Sequence, residues 1–431
     1  MDYNEALGFL QETSRFGMRL GLKNITRLLA LLNNPQEQLK IIHIAGTNGK
    51  GSVLAYLRSI LMASGLRVGT YSSPSMQRVT EGIRINDWEI SEKIFAKQCG
   101  MVQEAIVKML EEGFEHPTEF EILTTIAFLF YVEENCGVVI LETGMGGRSD
   151  ATNVIHKPIA AVITTIDFDH QQYLGNTLEE IAYEKAGIIK SFGKVVLYPQ
   201  EESARYVLME AAQKAEAIVH VCDFSSLKEL DFSSQGQRFQ YKNYDDLEIS
   251  LLGEHQQRNA AVAIETIEML NQSPEAGFCI SETAIREGLV QAKWPGRMEI
   301  IMKDPLFLVD AAHNNQGIFA FRDTLLKYFP DRRRVFIFGV LKDKDFRTMV
   351  DVVLPLADAV YTVTPGAIRA LPAAELASVI IAADTGIPVE ACRTIHDAVE
   401  KSLEKAKEMD SMICSFGSIY FLGEVRAYFG L

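Results

Sequence analysis

Four things are scarce or missing in this sequence of 431 residues: paired cysteines, excess positive charge, a long apolar run and any repeat. The six cysteines (Cys99, Cys136, Cys222, Cys279, Cys392, Cys414) form no CxxC and no close pair, which excludes a disulfide framework and a zinc ribbon and leaves reduced thiols. Lys and Arg number 42 against 57 Asp and Glu, for a net charge of −15. That balance disfavours a general nucleic-acid binder, which needs a concentrated positive surface, but not a nucleotide site served by one loop and a metal ion. The most apolar stretch, 122–132, is too short to span a bilayer and lies between Glu121 and Glu133. The opening MDYNEALGFLQETSRFG has no basic n-region followed by an apolar h-region, so no signal peptide is expected, and the location is expected to be cytoplasmic.

What is present is ordinary globular composition, 48% apolar and 23% charged, at a length that calls for two or three domains. Short apolar runs alternate with amphipathic stretches, the mark of α/β layering. Strands are expected at 39–45, 65–73, 137–143 and 159–166, each nearly continuous in apolar and β-branched residues, as buried parallel strands are. Helices are expected near 52–63, 91–111 and 118–135, and 220–250 reads as an antiparallel hairpin region near the end of the first domain. Trp294-Pro295-Gly296-Arg297 marks a boundary. Beyond it five strands alternate with helices in a doubly wound pattern. The expected architecture is an N-terminal parallel-sheet ATPase domain of the phosphate-loop type (1–295) followed by a C-terminal Rossmann-like domain (296–431).

The strongest local signal is AGTNGKGS at 45–52, set between a strand and a helix. Its glycines let backbone N–H groups turn inward on phosphate oxygens, and the following helix adds its positive end. Thr47, Asn48, Gly49, Lys50, Gly51 and Ser52 are the candidate phosphate binders, with Lys50 reaching toward the β- and γ-phosphates. The string departs from GxxxxGK[ST]: Ile44 stands near the first glycine's place, and Gly51 follows the lysine.

Further motifs join this loop: YSSPSMQRVTEGIRIN (71–86), TEFEILTTIAF (118–128), LETGMGGRSDATN (141–153) and DFDHQQYLGNTLEEIAYEKAGIIK (167–190). GEHQQRNAAVA (253–263), WPGRMEI (294–300), VDAAHNNQG (309–317) and GVLKDKDF (339–346) follow. In order and spacing the set resembles the folylpolyglutamate synthase and dihydrofolate synthase family, the folate branch of the Mur ligase superfamily, essentially end to end. The resemblance implies an amide ligase that phosphorylates a carboxylate with ATP and then adds L-glutamate to the acyl phosphate, with dihydropteroate, reduced folates or both as acceptor. It implies a monomer working on small molecules, with no nucleic acid or membrane partner.

It also implies roles residue by residue. Ser73, Glu142 and His170 match ligands of a Mg²⁺ ion, His170 being the unusual donor for a hard cation. Lys185 matches a lysine that is carbamylated in the wider family and then serves a second Mg²⁺. On its residues alone it could equally be an unmodified phosphate contact or a partner of Glu180 or Glu184. Asn259 matches an adenine contact and Arg297 a phosphate contact; the plainer readings are a helix cap and an interdomain ion pair. Asp310 and His313 match the second domain's share of the nucleotide site, Asp310 near the ribose and His313 in catalysis with Lys50 and Lys185. Thr118, Phe120, Asp150 and Ala151 match positions that bind dihydropteroate in bifunctional members, although Phe120 also reads as helix core. This chain has Ser75, Gly82 and Ala311 where the family commonly has His, Arg and Gly. Two other classes compete: a kinase or NTPase using the same loop, and a non-catalytic nucleotide-binding regulator.

Overall fold

Runs that are apolar on both sides of the strand need cover on both faces, and they receive it. The computed structural model describes residues 1–17, 19–383 and 386–431. The chain forms two units, one of residues 1–227, 241–243 and 258–292, the other of 228–240, 244–257 and 293–431.

The first unit is built on eight strands: β1 (Ile41–Ala45), β2 (Val68–Tyr71), β3 (Ile83–Ile85), β4 (Trp88–Glu89), β5 (Val138–Glu142), β6 (Ala160–Ile163), β7 (Lys194–Leu197) and β8 (Ile218–Val221). Their order is β4-β3-β2-β5-β1-β6-β7-β8. From β2 to β8 every pairing is parallel, and β3 and β4 add an antiparallel edge. All five residues of β1 are buried, and so are all of β5 and β6. One layer of helices packs with Ile25, Phe95, Ile126 and Tyr131, and Ile181 and Leu208 mark another cluster. Because β1, β2, β5 and β6 run the same way, their C-terminal ends share one edge, where open α/β sheets bind ligands.

The second unit begins with an antiparallel sheet of β9 (Lys228–Ser233), β10 (Gly236–Tyr241) and β11 (Tyr244–Ile249). It continues with β12 (Glu299–Lys303), β13 (Leu306–Asp310), β14 (Arg333–Phe338), β15 (Ala359–Thr362), β16 (Val389–Ala391) and β17 (Ser411–Phe416), ordered β12-β13-β17-β14-β15-β16. This is one strand more than the five expected. The extra one, β12, is half-buried and pairs antiparallel with β13, so it lacks the buried apolar run by which the others are read.

Within 73–86 a short turn, Val79–Gly82, leads into β3. Two other expectations change. The 220–250 region holds three antiparallel strands, most of whose residues fall in the second unit. Asn259 is not a cap: its helix starts at Glu254, so its side chain leaves from the second turn.

Candidate active site

The phosphate loop leaves β1 at Ala45 and enters the Lys50–Ala63 helix. Gly49 is the helix N-cap at φ +87°, a conformation L side chains rarely adopt. A Cβ on Gly49 would stand 2.8 Å from Asn259 Oδ1, and one on Gly46 would overlap Thr164 Oγ1. These two positions therefore exclude any larger residue.

The residues just past β6 hold the loop in place. Thr47 N donates to Thr165 O at 2.7 Å, Thr47 Oγ1 donates to Asp167 O at 2.9 Å, and Thr164 Oγ1 donates to Asn48 O at 2.7 Å. Asp167 N donates back to Thr47 Oγ1 at 3.0 Å. The signal for this support was two threonines and an aspartate ending an otherwise apolar strand run, which sequence reasoning passed over.

Two lysines meet on one atom. Lys50 Nζ donates to Gly46 O (3.0 Å) and Thr47 O (3.1 Å), and Lys185 Nζ donates to the same Gly46 O at 2.8 Å. Lys185 closes the Leu178–Lys185 helix, which Thr177 caps. It is buried, and its amine binds the loop instead of pairing with Glu180, whose carboxylate accepts the Asn176 and Thr177 N–H groups. Burial, and then the nearby charge of Lys50, bring Lys185 down to about 7, against the opposing pull of Asp169 and Asp150.

Glu142 ends β5, in register with Ile44 of β1, with Oε1 3.9 Å from Lys50 Nζ. Ser73 follows β2, the neighbour of β5, and so falls on the same edge. His170 stands past β6 at φ +50°, its backbone N–H on Asp169 Oδ1 (2.8 Å). Among the described residues no three His, Cys, Asp or Glu side chains gather to hold a metal ion. A Mg²⁺ here would rest on one carboxylate, a hydroxyl, one imidazole and the oxygens of phosphate and water, the imidazole being the unusual donor for this ion. Asp169, near Lys185, is a further acidic residue that motif reading did not single out.

Beside this lies the second group of candidates. Thr118 caps the Glu119–Glu133 helix in a reciprocal pair with Glu121 (Thr118 N to Glu121 Oε2, 2.7 Å). Phe120, half-buried against the core, has its ring 5.8 Å from that of Tyr71. Asp150 and Ala151 are buried. The Asp150 carboxylate accepts from Met145 N (2.9 Å), Thr152 N (3.0 Å) and Thr152 Oγ1 (2.5 Å), and burial raises it above the ordinary carboxylate range despite these bonds. With its one proton on Asp150, the Thr152 hydroxyl must accept from His43 Nε2, 2.8 Å away. That assigns the Nε2–H tautomer to His43, and burial takes this histidine down to about 3. A histidine inside a strand gave no such hint beforehand.

In the second unit, Asp310 ends β13 and stitches two turns together, accepting from Met298 N and Ala312 N at 2.8 Å each. Arg297 Nη1 donates to Gly296 O at 3.1 Å, and Ala311 N donates to the same oxygen at 2.8 Å. Asp310 is raised by burial and lowered by Arg297. His313 Nδ1 sits 2.8 Å from Ala311 O. Ala311 is buried and outside the left-handed region, so the expected glycine is not required there.

Known proteins resemble the chain as a whole. The Mur ligase middle domain matches residues 44–267, and the Mur ligase glutamate ligase domain matches 296–419. The dihydrofolate synthase/folylpolyglutamate synthase of Bacillus subtilis (strain 168) is 35% identical over 435 residues, 98% of each chain. The folylpolyglutamate synthase of Lacticaseibacillus casei is 36% identical over 87% of this chain and 88% of its own. Among solved structures, Mycobacterium tuberculosis folylpolyglutamate synthase complexed with ADP and AMPPCP superposes with a TM-score of 0.90 at 31% identity, covering 100% of this chain and 99% of that one.

Proposed function

The chain belongs to the Mur ligase family, on the branch of the folylpolyglutamate and dihydrofolate synthases, and from that membership we propose that it joins L-glutamate to dihydropteroate, to the γ-carboxylate of a reduced folate, or to both. It is a ligase forming carbon–nitrogen bonds. The observation that carries the reading is the meeting of Lys50 and Lys185 on Gly46 O, beside Glu142, at the C-terminal edge of a parallel sheet.

A carboxylate is a poor electrophile at neutral pH. Its oxygen attacks the γ-phosphorus of ATP and ADP leaves, giving an acyl phosphate. The glutamate amine then attacks the acyl carbon, the carbon–oxygen bond breaks, and phosphate departs while the amine gives up a proton. In this scheme Lys50 exchanges its two carbonyl partners for phosphate oxygens, and the N–H groups from Asn48 to Ser52 bind the rest, helped by the positive end of the Lys50–Ala63 helix, while Thr47, whose N–H is taken by Thr165 O, anchors the loop and does not bind phosphate through its N–H. Asn259, against Gly49, borders the adenine side. Ser73, Glu142 and His170 would hold Mg²⁺, which when bound neutralises the charge that phosphoryl transfer accumulates. An amine that is neutral near pH 7 can add CO₂, forming a carbamate and releasing a proton, and Lys185 would then offer oxygens to a second ion. A carbamate carbon signal from protein equilibrated with ¹³C-bicarbonate, missing in Lys185→Met, tests this.

Phe120 offers a ring face to a pterin, and the buried Asp150 an acceptor, which supports dihydropteroate as well as folate. The second domain (296–431) would contribute Arg297 and Asp310 to the nucleotide and His313 to catalysis. The working form is a cytoplasmic monomer; among the described residues no helix is long and apolar enough to cross a membrane.

Mass spectrometry of products from ATP, Mg²⁺, glutamate and either dihydropteroate or tetrahydrofolate is the direct test. A gain of one glutamate residue is expected in both tubes, and in neither with Lys50→Ala. A gain with tetrahydrofolate alone removes the pterin role of Phe120 and Asp150, and ADP without any gain makes the protein an NTPase.

A further inference from the structure

The support beneath the phosphate loop has a support of its own. Strand β7 makes its last ladder bond to the neighbouring β6 segment through Tyr198 N on Ile163 O (2.9 Å). Beyond this rung, past Pro199, the contact to the β6 segment passes to a side chain. That side chain takes Thr164 O and Ile166 N, which lie just past the last rung. Gln200 Nε2 donates to Thr164 O at 2.7 Å, and Gln200 Oε1 accepts from Ile166 N at 2.9 Å. A primary amide carries the donor and acceptor of a peptide group, so Gln200 adds two bonds to this stretch beyond the backbone ladder.

What it extends is the stretch 164–167, the one that holds Thr47 and Asn48 and leads directly into Asp169 and His170. Without the amide, Thr164 O and Ile166 N would turn toward water, and the stretch would lose its anchor on the β7 side. The loop would then have lost the backing that aims its N–H groups. We propose that Gln200 is a positioning residue for the ATP phosphates, acting through 164–167 and touching no substrate itself.

The proposal rests on the ligase reading, and its test separates the two. ADP binding by calorimetry and KM for ATP are measured for the wild type, Gln200→Met, which keeps the shape without the hydrogen bonds, and Gln200→Glu. Gln200→Met is expected to weaken ADP about tenfold and to raise KM for ATP by a like factor, with KM for the folate unchanged. In Gln200→Glu a carboxylate faces Thr164 O at neutral pH, but its protonated form donates again. The affinity ratio of this variant to wild type should therefore recover as pH falls toward 5, which a merely structural role would not produce. Equal ADP affinity in wild type and Gln200→Met, or a Gln200→Glu ratio that ignores pH, overturns the proposal and leaves the ligase reading intact. A wild type that does not bind ADP overturns both.

Discussion

Two ammonium groups directed at one carbonyl oxygen repel each other, and burial makes the repulsion felt. Lys185 is the one that yields, with its amine near neutrality at about pH 7, because it is the more deeply enclosed. Burial acts in the same direction at His43, whose ring stays neutral to hold Thr152, which in turn holds Asp150. Burial lowers His43 from an ordinary 6.5 to about 3. The unfolded chain takes up that proton at the higher pH, so acid favours unfolding. Stability on this account is full above about pH 6.5 and falls by about 1.4 kcal/mol per pH unit down to about 3, roughly 4–5 kcal/mol in all. Urea unfolding of wild type and His43→Gln between pH 6.5 and 4 checks it: the variant's slope should be shallower by about that much per unit, and equal slopes would refute the assignment.

Between elements, one close approach bears on the helix that follows the loop. The Lys50–Ala63 helix packs against the Glu282–Gln291 helix, and a Cβ on Gly288 would overlap the backbone of Ile60. Backbone cannot give way as a flexible side chain can. Gly288→Val is therefore expected to destabilise the first unit by about 2–3 kcal/mol and to weaken ADP binding by displacing the helix start. Chemical denaturation gives the first quantity, and unchanged stability would show that the helices can part at little cost. The strands teach a related lesson. Those of the sheet centre were legible as apolar runs because both faces are covered. Two-residue β4 and half-buried β12 were not, since edge strands need little apolar surface and borrow their order from a neighbour. Strand β10 alternates buried residues with half-buried or exposed ones, as one covered face requires.

For the molecule as a whole, the six cysteines bear on a simple chemical question. All are free; Cys99, Cys222, Cys392 and Cys414 are buried, Cys136 is half-buried, and Cys279 is exposed. Burial pushes the Cys136 and Cys392 thiols up to about 12, far from thiolate at neutral pH. One thiol per native chain should react quickly with a disulfide reagent, all six after unfolding, and none quickly in Cys279→Ser. Two or more fast thiols in the native wild type would contradict the burial pattern. The net charge of −15 is compatible with the proposed ATP and folate substrates because the proposed phosphate site draws on local groups, namely Lys50, backbone N–H donors and a helix end.

The residues of the phosphate loop, the strand before it and the helix after it could be read directly, since glycine freedom, a lysine and a helix start act within a few positions of one another. The family resemblance and the α/β layering were legible for the same reason, as patterns along the chain. Lys185, by contrast, reaches a carbonyl 139 positions away. Thr164, Thr165 and Asp167 serve a loop more than a hundred residues earlier, and Gln200 serves Thr164 across the next strand. Those contacts exist because β1 lies between β5 and β6, and β6 beside β7. Strand order is a choice among packings of similar apolar faces, made by the chain as a whole, and only the tertiary structure reveals which polar groups it brings within hydrogen-bond reach.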